Sequence, residues 1–160
     1  MSRAIALALL ALAFSLAGCA NFSSIAPGDS AQKVTDRVGK PVEVWKNPDG
    51  SEVWAYPQGP YGRQTFMVSL GTDRSVRQVR QVLSEEFFSQ IKVGMSREDV
   101  RRLIGKPGEV TMFPARNEEV WSWRYLQQNP MFFHVSFDRG SGTVKSVLRT
   151  EEILFMDDDC

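Results

Sequence analysis

Hydrophobic positions along the chain follow three distinct patterns. Residues 4–14 are an unbroken apolar run, preceded by Arg3 and followed by small residues at Ala17 and Gly18. A basic start, a short apolar stretch and small residues before a cut describe an export signal, and the run is short for a membrane span. Residues 20–30 are small and polar and read as a short tether. Beyond them, apolar residues recur at helical spacing and then at every second position.

The helical and alternating patterns are clearest in the second half. Residues 84–90 predict a short helix, with Phe87, Phe88 and Ile91 facing a core. Ser96 is placed as an N-cap and Asp99 follows three residues later, a capping-box pairing. Val100, Leu103 and Ile104 then make one apolar face. Gly105 is placed for a left-handed C-terminal cap, and Pro107 stops the helix. Alternation predicts strands over 120–125, with Trp121, Trp123 and Tyr125 on one face, and over 132–137, with Phe133, Val135 and Phe137 together. A Gly-rich turn at 138–143 leads to a last strand at 144–148.

The first half repeats this plan. Residues 28–44 align with 94–110 at an offset of 66, with eight of seventeen positions identical, among them Gly28/Gly94, Ser30/Ser96 and Gly39/Gly105. Phe22 and Ile25 fall on Phe88 and Ile91 at the same offset. Glu52, Val53 and Trp54 match Glu119, Val120 and Trp121, and Val76 and Val79 match Val144 and Val147, after one-residue insertions in turns that tolerate them. This half therefore reads as a turn at 22–25, a helix at 30–38 and strands at 42–46, 52–57, 64–70 and 75–80, with Asn47 to Gly50 as the first hairpin turn. The predicted class is α+β: two tandem helix-helix-antiparallel-sheet repeats, each two-layered. The boundaries are a signal at 1–18, a first repeat at 19–82, a second at 83–150 and an acidic tail at 151–160. Short helices cover one face of each sheet, leaving the other for solvent or a partner.

Composition narrows the function. About 140 residues remain after the signal, enough for one ordinary domain or two very small ones. Nineteen basic residues balance nineteen acidic ones, and no Lys/Arg cluster stands out, so no nucleic-acid partner is expected. The two cysteines are Cys19 and Cys160. If Cys19 is modified, no internal disulfide is possible. Cys160, after Asp157 to Asp159, reads as an inert end rather than a cross-link.

Catalytic chemistry finds little support. His134 is the only histidine, too few for a histidine-rich metal site, and it lies on the face opposite Phe133 and Val135. A solvated or interface role suits it better than catalysis. Glu118 and Glu119 are adjacent on a predicted strand and so point to opposite faces. No phosphate loop is present. We expect no enzyme, no metal, no catalytic residue and no cofactor apart from covalent lipid.

The aromatics are more informative. Trp54, Tyr56, Phe66, Trp121, Trp123, Phe133 and Phe137 hold repeat-related inward positions and read as core beneath the helices. The opposite face would carry Val53, Ala55, Met67, Ser69, Val120, Ser122, Arg124, Phe132, His134 and Ser136. That mixture suits a protein-binding surface, and equally the seam where two units pack together. Residues 56–62, rich in Gly, Pro and Tyr, are a connector or a contact loop at the rim. The partner-binding candidates are Met67, Arg124, Phe132, His134 and, in that loop, Tyr61.

Two resemblances add expectations. Leu16, Ala17, Gly18 and Cys19 resemble the bacterial lipobox. It implies a diacylglyceryl thioether on Cys19, cleavage before it, further acylation (palmitate among the chains) and, with Ala20 rather than Asp next, sorting to the outer membrane facing the periplasm. The segment from Ile91 through Gly94, Met95, Ser96 and Val100 to Gly105, Lys106 and Pro107, then Val120 and Trp121, resembles the SmpA/OmlA (BamE-like) domain. In tandem, that unit is the architecture of the β-lactamase inhibitor protein fold. The first copy departs from the motif at Asp29, which stands where Met95 does. The resemblance implies a non-enzymatic outer-membrane lipoprotein acting as adaptor or scaffold in envelope assembly, with a partner in the outer-membrane assembly machinery. The alternatives are an inhibitor of a periplasmic enzyme and a structural lipoprotein without one partner.

Overall fold

The computed structural model describes residues 21–153. The expected signal over 1–18, the lipidation site Cys19 and the end of the tail from residue 154, including Cys160, lie outside the described residues.

Local chemistry explains the elements. The Ser30 side chain accepts from the Lys33 amide and starts α1 (Ala31–Val38). A brief α2 (Glu85–Phe88) precedes α3 (Arg97–Ile104). At Ser96 both halves of the capping box form, its hydroxyl taking the Asp99 amide and the Asp99 carboxylate taking the Ser96 amide. Both eight-residue helices end at a glycine with positive φ, Gly39 at +84° and Gly105 at +79°. The left-handed cap expected at Gly105 is instead an extended one, with ψ −173° at both glycines. That region is open essentially to glycine alone.

Eight strands form two antiparallel meanders. One holds β1 (Glu43–Lys46), β2 (Glu52–Pro57), β3 (Thr65–Leu70) and β4 (Val76–Gln81) in that order. The other holds β5 (Glu109–Phe113), β6 (Glu118–Leu126), β7 (Pro130–Asp138) and β8 (Val144–Glu151). The registers repeat. Ala55 faces Met67 as Ser122 faces His134, Val53 faces Ser69 as Val120 faces Ser136, and each sheet shifts register beside the latter serine. Ser30 bridges Ser75 as Ser96 bridges Thr143. Phe22 stacks on Phe66 at 4.2 Å between centroids, and Phe88 on Phe133 at 4.0 Å.

Two expectations change. The strand β5 was not predicted; most of its residues are exposed, so it lacks the half-buried alternation that marks a strand. The start of the supposed tether belongs to the fold: Phe22 and Ile25 are buried in the core with Val34, Trp54 and Val68.

The open choice between free face and seam is resolved differently for each sheet. Trp45, Ala55, Met67 and Val82 of the first unit share one core with Val100, Ile104, Trp123 and Phe133 of the second. Helix α3 therefore lies between the two sheets. Trp45 Nε1 donates to Glu98 Oε1 at 2.6 Å, and Arg101 pairs with Glu43. Behind α3, Trp123 Nε1 donates to the Gly105 carbonyl at 3.2 Å. The first sheet is covered on both faces, by α1 and by α3. The second has its inner face under α2 and α3, and among the described residues nothing covers its outer face.

Candidate partner-binding face

The bare face of β5–β8 is built from alternate residues of four strands. Register sets Glu109, Ser122, His134 and Leu148 in one row, with Thr111, Val120, Ser136 and Ser146 in the next. Arg124, Phe132 and Thr150 form a third row toward the β6–β7 turn. Phe113, Val120 and Leu148 wall a shallow depression of about 310 Å³, with His134 and Ser136 in its floor and Arg116 at its edge.

His134 is held at both ring nitrogens. Ser122 Oγ lies 2.8 Å from Nδ1 and Thr150 Oγ1 lies 3.0 Å from Nε2. Phe132 stacks beside the ring at 5.6 Å. Burial pushes the imidazole pKa below its ordinary 6.5, against a smaller upward pull from Glu109. A serine hydrogen-bonded to a histidine invites a nucleophile–base reading. The second ring nitrogen meets a hydroxyl, so no carboxylate is hydrogen-bonded to the ring as in a catalytic triad, and the distant pull of Glu109 does not outweigh burial. Ser122 also sits mid-strand between two neighbouring strands and is only 6% exposed. Ser122, His134 and Thr150 form a hydrogen-bonded rail running diagonally across three strands. It was not anticipated, because it depends on register across three strands.

Arg124 is committed to its own chain. Its guanidinium lies between the Tyr61 and Phe132 rings, 5.2 and 4.7 Å from their centroids. It donates to Glu152 Oε1 and to the Pro60 carbonyl, each at 2.8 Å. Arg63 donates to the other oxygen of Glu152 at 2.8 Å. Burial raises the Glu152 pKa, but the two guanidiniums outweigh it and leave the carboxyl below the ordinary value. The 58–64 loop is thereby latched to the second unit. Tyr61 is 79% exposed at the rim and Phe132 is half-buried.

Met67 needs correction as a binding candidate. It lies on the predicted face but is 6% exposed, inside the seam core with α3 over it. It only lines the bottom of a small depression beside α3 and offers a partner almost no surface. The other candidates, Arg124, Phe132, His134 and Tyr61, do gather at the bare face and its rim. Glu118 and Glu119 diverge as expected: Lys145 Nζ donates to Glu118, and Arg97 to Glu119. Among the described residues, no group of three or more His, Cys, Asp or Glu is placed to hold a metal, and no helix is long and apolar enough to cross a membrane.

Residues 80–141 match the model of a known family, the outer membrane protein assembly factor BamE domain. The match runs from the end of β4 through β7 and so takes in the seam helix and most of the bare sheet. No curated protein is significantly similar to the chain. Three solved structures are similar at low identity. One is described as a candidate beta-lactamase inhibitor protein from Streptococcus mutans, 14% identical, covering 94% of this chain and 98% of that one, with a TM-score of 0.32. A cysteine-rich secretory protein from Staphylococcus aureus is 16% identical, with 77% and 43% covered and a TM-score of 0.30. A DUF4309 family protein from Bacillus subtilis is 13% identical, with 77% and 78% covered and a TM-score of 0.29. At these scores none of the three bears on fold or function.

The BamE-type segment and its preceding copy use their outer sheet faces differently. Three seam residues recur unchanged on the bare face: Glu43 as Glu109, Val53 as Val120 and Ser69 as Ser136. Four others become more polar: Trp45 as Thr111, Ala55 as Ser122, Met67 as His134 and Val82 as Thr150. The covered copy is a permanent core. The bare copy has the same shape, with Ser122, His134 and Thr150 hydrogen-bonded within the sheet and the Ser136 hydroxyl unpaired in the protein, as suits a surface that meets water when unoccupied.

Proposed function

We propose that this protein is an outer-membrane lipoprotein, anchored through acyl chains on Cys19 and facing the periplasm, that works as a non-enzymatic adaptor in outer-membrane protein assembly. The single observation that carries the reading is the inequality of the two sheet faces within a chain whose second unit matches the BamE model. One face holds helix α3, with Glu43 paired to Arg101 and Trp45 bonded to Glu98. Its counterpart keeps Glu109, Val120 and Ser136, and no described element packs on it. The partner element best suited to the bare face is an amphipathic helix with a basic residue positioned to meet Glu109.

The test places a photo-reactive amino acid at Val120 or Leu148 in full-length protein within native envelopes, and maps the cross-linked peptide. Cross-links to a helix of an assembly component, abolished by Glu109→Lys, are the expected result. Cross-links to a soluble periplasmic enzyme would replace the adaptor with an inhibitor. Failure to cross-link any protein at either site would leave a structural envelope lipoprotein and overturn the adaptor.

A further inference from the structure

Four chain ends and turns converge at one end of the molecule. β2 and β3 meet there at Pro57 and Thr65, β6 and β7 at Leu126 and Pro130, and β8 finishes there at Glu151. The N-terminal segment reaches the same place. Asn21 and Phe22 line a depression with Gln58, Gln64 and Gln81, and those three glutamines also line the adjoining depression with Tyr61 and Leu126.

The surface chemistry of this end is distinctive. Tyr61, Leu126 and Ile153 are 79%, 63% and 76% exposed, and of the large hydrophobic side chains described only Val93 matches them. Between them stand neutral amides, Gln58, Gln64, Gln127 and Gln128. The charges near them, Arg63, Arg124 and Glu152, are paired with one another, and the exposed Glu151 offsets the one positive charge they leave over. The opposite end, formed by the other hairpin turns, instead exposes Asp49, Asp73, Arg74, Arg116 and Arg139. In sequence, Ile153 continues into Leu154, Phe155 and Met156.

Tether length supplies the second constraint. Phe22 is already buried against Phe66. Three residue steps separate it from Cys19, a reach of roughly 10 Å at full extension. An acyl-bearing Cys19 therefore holds this end, and no other, against the headgroups.

We propose that the Tyr61–Leu126–Ile153 end rests on the membrane, its three exposed side chains entering the boundary between headgroups and acyl chains. Tyrosine and apolar side chains among neutral amides fit that boundary, and apolar faces there sink about 5–10 Å. Docking is apolar and needs no anionic lipid. The bare face of β5–β8 then stands edge-on to the bilayer, open to a partner from the side. This rests on lipidation at Cys19, which belongs to the function proposed above.

The experiment uses full-length lipidated protein carrying Cys160→Ser, reconstituted into phosphatidylethanolamine–phosphatidylglycerol vesicles. An environment-sensitive fluorophore is attached singly at Tyr61→Cys, Leu126→Cys, Gln128→Cys or, as the distal control, Asp73→Cys. All four positions are exposed, and thermal melting checks that each variant folds. The expected result is at least a several-fold greater quenching by lipids spin-labelled near the headgroup at 61, 126 and 128 than at 73. It should persist in wholly zwitterionic vesicles and at high salt. Equal quenching at all four sites, or quenching that vanishes without anionic lipid, overturns the proposal. Mass spectrometry of the N-terminal peptide separates the two readings. With acyl chains present and all labels in water, the anchor stands and the membrane-facing end fails. With no acyl chain on Cys19, both fail.

Discussion

The Trp45 indole of the first unit donates a 2.6 Å hydrogen bond to Glu98 of the second, joining residues fifty-three positions apart across the seam. Beside it, Arg101 pairs with Glu43. These polar contacts flank a core to which both units contribute, with Met67 and Ala55 on one side and Val100 and Ile104 among the residues from the other. Two units sharing a core cannot unfold independently without exposing it.

One cooperative unfolding transition is therefore expected, despite the internal repeat. Met67→Ala should cost about 2–5 kcal/mol, as for a buried methionine. His134→Ala, at the equivalent place on the bare sheet, should cost less, because the loss there opens to solvent and leaves no sealed cavity. Urea denaturation followed by both tryptophan fluorescence and far-UV circular dichroism tests this. Two separated transitions, or a Met67 variant as stable as the parent, would show that the seam is not core.

Much of this architecture was legible before the structure. The pattern and the repeat anticipated the two eight-residue helices, the serine cap at Ser96 and seven of the eight strands, because turn residues and apolar spacing recur at fixed offsets. β5 was missed on local pattern, although Glu43 and Val44 recur as Glu109 and Val110 and marked its place. Alternation assigns a residue to one face of a strand but carries no information about what covers that face. Met67 and His134 therefore looked alike as binding candidates. Phe22 and Ile25 stood in a stretch too polar to suggest core, yet the repeat had already paired them with Phe88 and Ile91. The His134 rail and the Arg124 latch join residues through register and loop packing, which no local pattern encodes.

His134 offers a direct electrostatic test, since it is the only histidine. Burial depresses its pKa in the folded state, so protonation disfavours folding. Its contribution to stability is complete above the unfolded value near 6.5 and is lost as pH falls through the folded value. Titration of the imidazole by NMR should give a midpoint below 6.5. Glu109→Gln should lower it further, because the carboxylate is the group that raises it. A midpoint above 6.5 would mean that the ring is not held in the rail.

The latch at Glu152 has the carboxylate form of the same dependence. Arg63 and Arg124 hold its pKa below the usual range despite burial. The stabilisation is present above the unfolded glutamate value and disappears as pH falls through the folded one. A double-mutant cycle with Arg124→Gln and Glu152→Gln should show a coupling of roughly 0.5–3 kcal/mol at pH 7. It should vanish once the carboxyl is protonated. No coupling at pH 7 would indicate that Arg124 acts through its stacking on Tyr61 and Phe132 alone.

The two helix-ending glycines isolate the seam from backbone strain. Gly39 and Gly105 share nearly the same dihedrals, φ +84° and +79° with ψ −173°. Alanine at either position meets the same backbone penalty, of order 1–3 kcal/mol. A Cβ on Gly39 would touch nothing within 4 Å, whereas one on Gly105 would lie 2.8 Å from Thr65 Cγ2 across the seam. Gly105→Ala should thus destabilise more than Gly39→Ala, and Thr65→Ser, which removes that methyl, should recover the difference while leaving Gly39→Ala unimproved. Equal costs for the two alanines, measured by urea denaturation, would mean that the α3 terminus does not press on β3 and that the units pack more loosely than the shared core requires.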